Sequence, residues 1–170
     1  MPRTVRPARS YATDPVTRAL RILAILAVAA IAAWMLAQYP ALPETVPTHF
    51  DAAGRPDGWG SKSSVLWLAL VMAALTALLA WLSTKPRWAN YPVQLTEQNA
   101  QRVYREGERM LVWMLWPIAL LFAGLALLTV GSASAMVGAI LPGQVALALG
   151  FAGMLVVVTV GIVRLVRAAR

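Results

Sequence analysis

Between residues 110 and 163 the chain carries no Asp, Glu, Lys, Arg or His. At 1.5 Å per residue such a run would extend about 80 Å as one helix, against roughly 30 Å of bilayer hydrocarbon. It therefore turns back once. Turn chemistry is available at Gly131, Ser132 and Ser134, and again at Pro142, Gly143 and Gln144, because Gly permits unusual dihedrals and Pro cannot continue a helix. The run divides into spans at about 110–130 and 145–163.

Two more stretches reach spanning length. One is 65–82, and the other is 22–37, which extends to about 20–38 with Arg21 snorkelling to the headgroups. Of 170 residues, 59% are hydrophobic and 13% charged, whereas a soluble domain is nearer 45–50% apolar. The fold class is thus an all-α integral membrane protein. Its expected architecture is a four-helix transmembrane bundle with a structured outward loop between helices 1 and 2. Residues 1–18 form a basic arm that reads as disordered, and 19–170 form one membrane domain.

The net charge of +8 raises the question of nucleic acid, but the positions of the cations answer it. Five Lys and Arg precede span one, two lie between spans one and two, five between two and three, none between three and four, and three after four. The positive-inside rule places both termini and the second loop in the cytoplasm and the first loop outside. No nucleic-acid partner is implied. Trp34, Trp59 and Trp67 border one face and Trp81, Trp88, Trp113 and Trp116 the other, as interfacial indoles do. Basic Arg18 and Arg21 ahead of an Ala-rich core also suit a cleaved signal peptide, yet the apolar run exceeds the usual length for one. The chain has no cysteine, which excludes disulfides and thiolate metal sites.

Alanines at 29, 33 and 37, alanines at 69, 73 and 77, and Ala146 with Gly150 recur at the four-residue spacing of close helix contacts. Pro117 should kink span three.

The first loop reads Y-P-A-L-P-E-T-V-P-T-H-F-D-A-A-G-R-P-D-G-W-G-S-K over 39–62. Pro40, Pro43 and Pro47 hold the residues before them extended, Gly54 and Asp57-Gly58 favour tight turns, and Phe50 and Trp59 offer apolar anchors. His49, the one histidine, lies near Glu44, Asp51 and Asp57. That set can hold a divalent metal or titrate near neutral pH, but a histidine bonded within a turn fits the thin ligand set better. No metal, cofactor or nucleophile constellation emerges, so the chain reads as a non-enzyme. The ligand or signal loop is His49, Phe50, Asp51, Gly54, Pro56, Asp57 and Trp59.

The second loop contains N-Y-P-V-Q-L-T-E-Q-N-A-Q-R-V-Y-R-E-G-E-R over 90–109. Thr96 suits a helix N-cap, although Asn99 stands where a capping box has Glu or Gln. Val103, Tyr104, Met110 and Leu111 fall opposite Arg102, Arg105, Glu106 and Arg109, a pattern for an amphipathic helix at the membrane surface. The cytoplasmic motif is Asn90, Tyr91, Pro92, Thr96, Glu97, Asn99 and Tyr104.

Together, Y-P-x-L-P-x-x-V-P-x-H-F-D-x-x-G-x-P-D-x-W and N-Y-P-x-x-L-T-E-x-N resemble a bacterial membrane family of unknown function (DUF1648-type). That family is related to the N-terminal module of SdpI-type toxin-immunity proteins. The resemblance implies a multi-pass protein of the bacterial cell membrane that answers a toxic peptide or envelope stress, with an extracellular peptide toxin and a cytoplasmic regulator as partners. SdpI-type proteins continue into further spans, and this chain ends after span four. Beside the immunity or sensor reading stand a small transporter, a membrane enzyme using His49 with Asp51 or Asp57, and a structural subunit or homo-oligomer packed through its small-residue faces. Ion coupling generally needs an ionisable group inside the membrane, and the spans offer none.

Overall fold

The computed structural model describes residues 6–51 and 53–170. The elements run α1 (Pro15–Gln38), β1 (Thr45–Phe50), β2 (Pro56–Ser61), α2 (Ser63–Ser83), α3 (Ala100–Ala133) and α4 (Val137–Ala169), with single 3-10 turns at Tyr39–Ala41 and Pro86–Trp88. All four helices are long and apolar enough to cross a membrane. The four-helix membrane bundle read from the sequence is the architecture observed, with a two-stranded sheet between the first two helices.

Two helix starts have a clear chemical reason. Asp14 caps α1 by accepting the Thr17 backbone N–H at 2.9 Å and its hydroxyl at 2.8 Å, and Pro15 follows in the first turn, where its missing N–H costs nothing. Those Thr17 bonds, followed by the Arg109 guanidinium, hold the Asp14 carboxyl below the usual carboxylate range. At α3, Thr96 N–H donates to Asn99 Oδ1 at 2.9 Å and Asn99 N–H to Thr96 Oγ1 at 3.2 Å. This is the reciprocal geometry of a capping box in the turn just ahead of Ala100, closed by Asn rather than Glu or Gln.

The α3–α4 turn falls at the first of the two expected places and not at the second. It falls after Ala133, where Met136 N–H reaches Gly131 carbonyl at 2.8 Å and Ala135 sits at φ 53°. That is a Schellman ending with Ala in the left-handed position. Pro142, Gly143 and Gln144, expected to turn the chain, instead lie inside α4. Pro117 likewise lies within continuous α3, and a Cβ on Gly153 would come 3.1 Å from its ring.

The main core joins Val28 and Met35 of α1, Val65 and Met72 of α2, Ile118, Phe122 and Val130 of α3, and Val46 of β1. α4 packs chiefly on α3. Their backbones nearly touch, since a Cβ at Gly124 would lie 2.8 Å from the Gly143 carbonyl oxygen and one at Gly150 would lie 2.7 Å from Leu121 Cγ. In lipid, where apolar burial gives no net drive, such close fitting holds helices together. The expected contact at Gly150 is present. The alanine stripes of α1 and α2 are largely unburied within the chain: Ala29, Ala33, Ala37, Ala73 and Ala77 are exposed and only Ala69 is buried. The inward positions belong to Ala24, Val28 and Met35 on α1 and to Val65, Met72 and Thr76 on α2.

The basic arm also departs from expectation. Met1 to Val5 lie outside the described residues, but residues 6–14 are laid down on α3 and the second loop. Gln101 Nε2 donates to Ala8 carbonyl at 2.7 Å, Ser10 N–H to Gln101 Oε1 at 2.9 Å, and Arg6 Nη1 to Arg87 and Ala89 carbonyls at 2.8 and 2.7 Å. The arm is therefore part of the folded body at the end of the bundle that carries both termini.

Candidate functional site

The opposite end of the bundle carries the hairpin. β1 and β2 pair antiparallel, Val46 opposite Gly60, Pro47 opposite Trp59 and Phe50 opposite Pro56, with irregular register around His49. Pro47 is tolerated because a two-stranded sheet has only edge strands. The turn lies at 51–55, where the Asp51 carboxylate accepts the backbone N–H of Ala53 at 2.9 Å and of Arg55 at 2.8 Å, plus Arg55 Nε at 3.1 Å. Gly54 adopts φ 71°, a left-handed conformation that disfavours a side chain. The Asp51 carboxyl is held below its usual range, first by the Arg55 backbone N–H. Asp57 and Gly58, expected to form a turn, are instead in β2.

Those contacts account for the spacing in H-F-D-x-x-G: the aspartate ties the turn and the glycine lets it reverse. His49 Nδ1 meets Asp57 Oδ1 at 2.5 Å across the strands, with both side chains largely exposed. Lys62 pairs with Glu44 at 2.8 Å, and that carboxylate raises the Lys62 ammonium above its ordinary range.

The turn docks on α4. Gln144 Nε2 donates to the Ala53 carbonyl, and a Cβ on buried Gly54 would lie 2.6 Å from that amide nitrogen. Gln144, carried inside α4, thus serves as the seat for the hairpin. Between hairpin and helices opens a cleft of about 560 Å³. His49, Phe50, Asp51 and Gly54 form its rim, and Leu121, Leu125, Leu147 and Phe151 its apolar wall. Of the loop residues singled out from the sequence, those four line the cleft. Pro56, Asp57 and Trp59 lie on β2 outside it, and Trp59 is exposed.

At the other end, the second-loop motif acts as a clasp. Tyr91 hydroxyl donates to Pro86 carbonyl at 2.8 Å, its ring lies 5.8 Å from that of Tyr104, and Tyr104 hydroxyl donates to Pro7 carbonyl at 3.3 Å. Burial raises the Tyr91 phenol well above its usual range. Asn99 Nδ2 donates to Gln94 and Ala169 carbonyls at 3.1 Å each, tying the loop to the last turn of α4. Gly107 is required beneath Tyr91, since a Cβ there would come 2.5 Å from the ring. Asn90, Pro92 and Glu97 are exposed. A groove of about 640 Å³ between arm and loop is walled by Arg6, Pro7, Tyr91, Thr96 and Glu97.

The amphipathic helix expected around Val103 and Tyr104 forms the first turns of α3 with Arg102 and Arg105 exposed, but its apolar face is covered by the arm, Val103 and Tyr104 both being at 0% exposure. Sequence reasoning missed what lies beside them. Glu108, 2% exposed, accepts from Thr13 Oγ1 at 2.7 Å and Arg21 Nη2 at 2.5 Å, and pairs with Arg9 Nη2 at 3.1 Å. Tyr11 is held above its usual phenol range by burial and then by the Glu108 carboxylate, and the Arg9 guanidinium lies 4.4 Å from its ring centre. The signal was Glu108 standing four residues after Tyr104 and four before Val112 on one helix face.

The family match falls on the hairpin and its flanking helices. Residues 25–74 match a domain of unknown function, DUF1648. A protein of Archaeoglobus fulgidus described as "Uncharacterized protein" is 48% identical over 44 residues, 26% of this chain and 24% of that relative. The match thus spans about a quarter of the relative's length. No solved structure matches this chain.

Proposed function

We propose that the chain is a non-enzymatic membrane receptor of the SdpI-like immunity or sensor type, with the hairpin outside the cell and both termini in the cytoplasm. Its ligand is a cationic, membrane-active peptide. The observation that supports this most is the cleft, whose wall is apolar and whose rim carries His49 and Asp51. Amphipathic ligands bind in such places, apolar side down and polar groups at the rim. Charge points the same way. Residues 38–64 hold Glu44, Asp51 and Asp57 against Arg55 and Lys62, the one acidic stretch in a chain of net charge +8.

In this reading α3 and α4 form the cleft wall at one end and the arm-and-loop clasp at the other, so occupancy has a rigid route to a cytoplasmic regulator. The test is survival of the deletion strain complemented with wild type, His49→Ala/Asp51→Ala or Ala148→Trp, under a panel of membrane-active peptides. Ala148 lines the cleft, so tryptophan there fills it. Loss of protection in both variants at normal expression is expected, and unchanged survival across the panel rejects the reading.

The exposed alanine faces of α1 and α2 favour a second reading, a subunit packed in a larger assembly. A stoichiometric partner retained through mild-detergent purification, and lost on Ala33→Leu, would support it over the receptor.

A further inference from the structure

A second cavity, of about 230 Å³, opens between α3 and α4 at the end that carries the termini. One end is charged, lined by Glu106, Arg109 and Arg164, and the rest is apolar, lined by Met110, Trp113 and Val160 among others. The charged end is incompletely matched. Glu106 Oε1 accepts Arg109 Nη1 at 2.8 Å, and Arg109 also reaches Asp14 at 3.5 Å, so Arg109 is committed. Glu106 Oε2 is buried without a hydrogen-bond partner. Arg164 Nη1 stands 3.8 Å from it, beyond hydrogen-bonding reach, with its side chain half exposed. Buried polar atoms in native proteins are normally satisfied, and this oxygen has a long ion-pair neighbour in Arg164 but no hydrogen-bond donor.

We propose that this cavity is a binding site for an amine-bearing glycerophospholipid, ethanolamine headgroup in class, from the leaflet at that end of the bundle. The ammonium donates to Glu106 Oε2, the phosphodiester takes the free donors of Arg164, and the upper acyl chain lies along Met110, Trp113 and Val160. Three features select this occupant. A carboxylate and a guanidinium a few ångströms apart match the paired charges of a phosphoethanolamine group. The apolar wall continues from the charged end, as a tethered chain requires. Arg164 and Trp113 are also the residue types that sit at the headgroup level. A choline headgroup has no N–H to donate, and a glycerol headgroup brings no cation. This site lies at the opposite end from the hairpin cleft and stands independently of it.

The test uses the full chain in nanodiscs of phosphatidylcholine doped with a small fraction of lipid brominated on the acyl chain. Quenching is read as the difference between wild type and Trp113→Phe. Brominated phosphatidylethanolamine is expected to quench at about tenfold lower mole fraction than brominated phosphatidylcholine, the scale of one charge-assisted hydrogen bond. Glu106→Gln, which is isosteric, should erase that preference while leaving quenching measurable. Arg164→Gln should weaken both lipids by a similar factor, and Arg164→Lys should retain most of the binding. Equal quenching by the two lipids in wild type overturns the proposal, as does an unchanged preference in Glu106→Gln. Full displacement by free phosphoethanolamine would mark a soluble headgroup compound as the occupant and also overturn it.

Discussion

Replacing Glu108 by Gln keeps the side chain's shape and removes its charge. In the folded chain that carboxylate is 2% exposed and holds Arg9 and Arg21, themselves 22% and 14% exposed. Gln leaves two largely buried guanidinium groups with one neutral acceptor. Removing one partner of a buried ion pair costs about 3–5 kcal/mol, most of it from the uncompensated charge. Arg9 can turn toward water, so the lower bound, about 3 kcal/mol, applies here. For a chain of this size each 1 kcal/mol shifts the melting temperature by roughly 2–4 °C, giving a loss of about 6–12 °C by thermal unfolding in detergent. Because Arg9 belongs to the arm and Arg21 to α1, tryptic cleavage within residues 6–14 should quicken in parallel. Arg21→Gln/Glu108→Gln should recover a good part of the loss, since the charge then goes with its partner. A shift below about 2 °C, with the arm still protected, would refute the claim that this pair locks the arm to the bundle.

Gly107→Ala should push the Tyr91 ring off α3 and cost about 1–3 kcal/mol, and Tyr91→Ala in the same chain should relieve most of it, both read by thermal unfolding. Gly124→Ala and Gly150→Ala should each loosen the α3–α4 seam by a similar amount, seen as faster amide exchange along α4. The Asp51 carboxyl is lowered in the fold, so its contribution is present above the unfolded value of about 3.9 and is lost as pH falls through the lower folded value. Exchange of the Ala53 and Arg55 amides should therefore accelerate only below about pH 4, and Asp51→Asn should flatten that dependence.

The four spans were legible because lipid forbids charge, and a gap from 110 to 163 admits few arrangements. The hairpin was not, since Pro47, Gly58 and Gly60 are poor strand formers and pairing is set by the Asp51–Gly54 turn and its seat on Gln144 rather than by alternation. Pro142-Gly143 reads as a turn by water-soluble rules, but within a bilayer neighbouring helices tolerate such residues in a continuous helix, and here Gly143 is needed for the approach to Gly124. In the sequence Arg9 and Arg21 read as topology signals. One carboxylate on the buried face of α3 makes them structural as well. The rim residues His49, Phe50, Asp51 and Gly54 stand out in sequence, whereas their partners Gln144, Leu147 and Phe151 look like ordinary span residues, because a cleft between elements has no local signature.

The receptor account is tested most directly by photocrosslinking. A photoreactive amino acid replaces Phe151 in the cleft wall or, as control, Leu155, exposed on α4, and intact cells receive a labelled cationic amphipathic peptide. The account predicts a crosslinked adduct at position 151, competed by unlabelled peptide and lost with Ala148→Trp, and only background at 155. Equal labelling at both positions, unaffected by competitor, would mean that the peptide meets this chain merely as part of the bilayer.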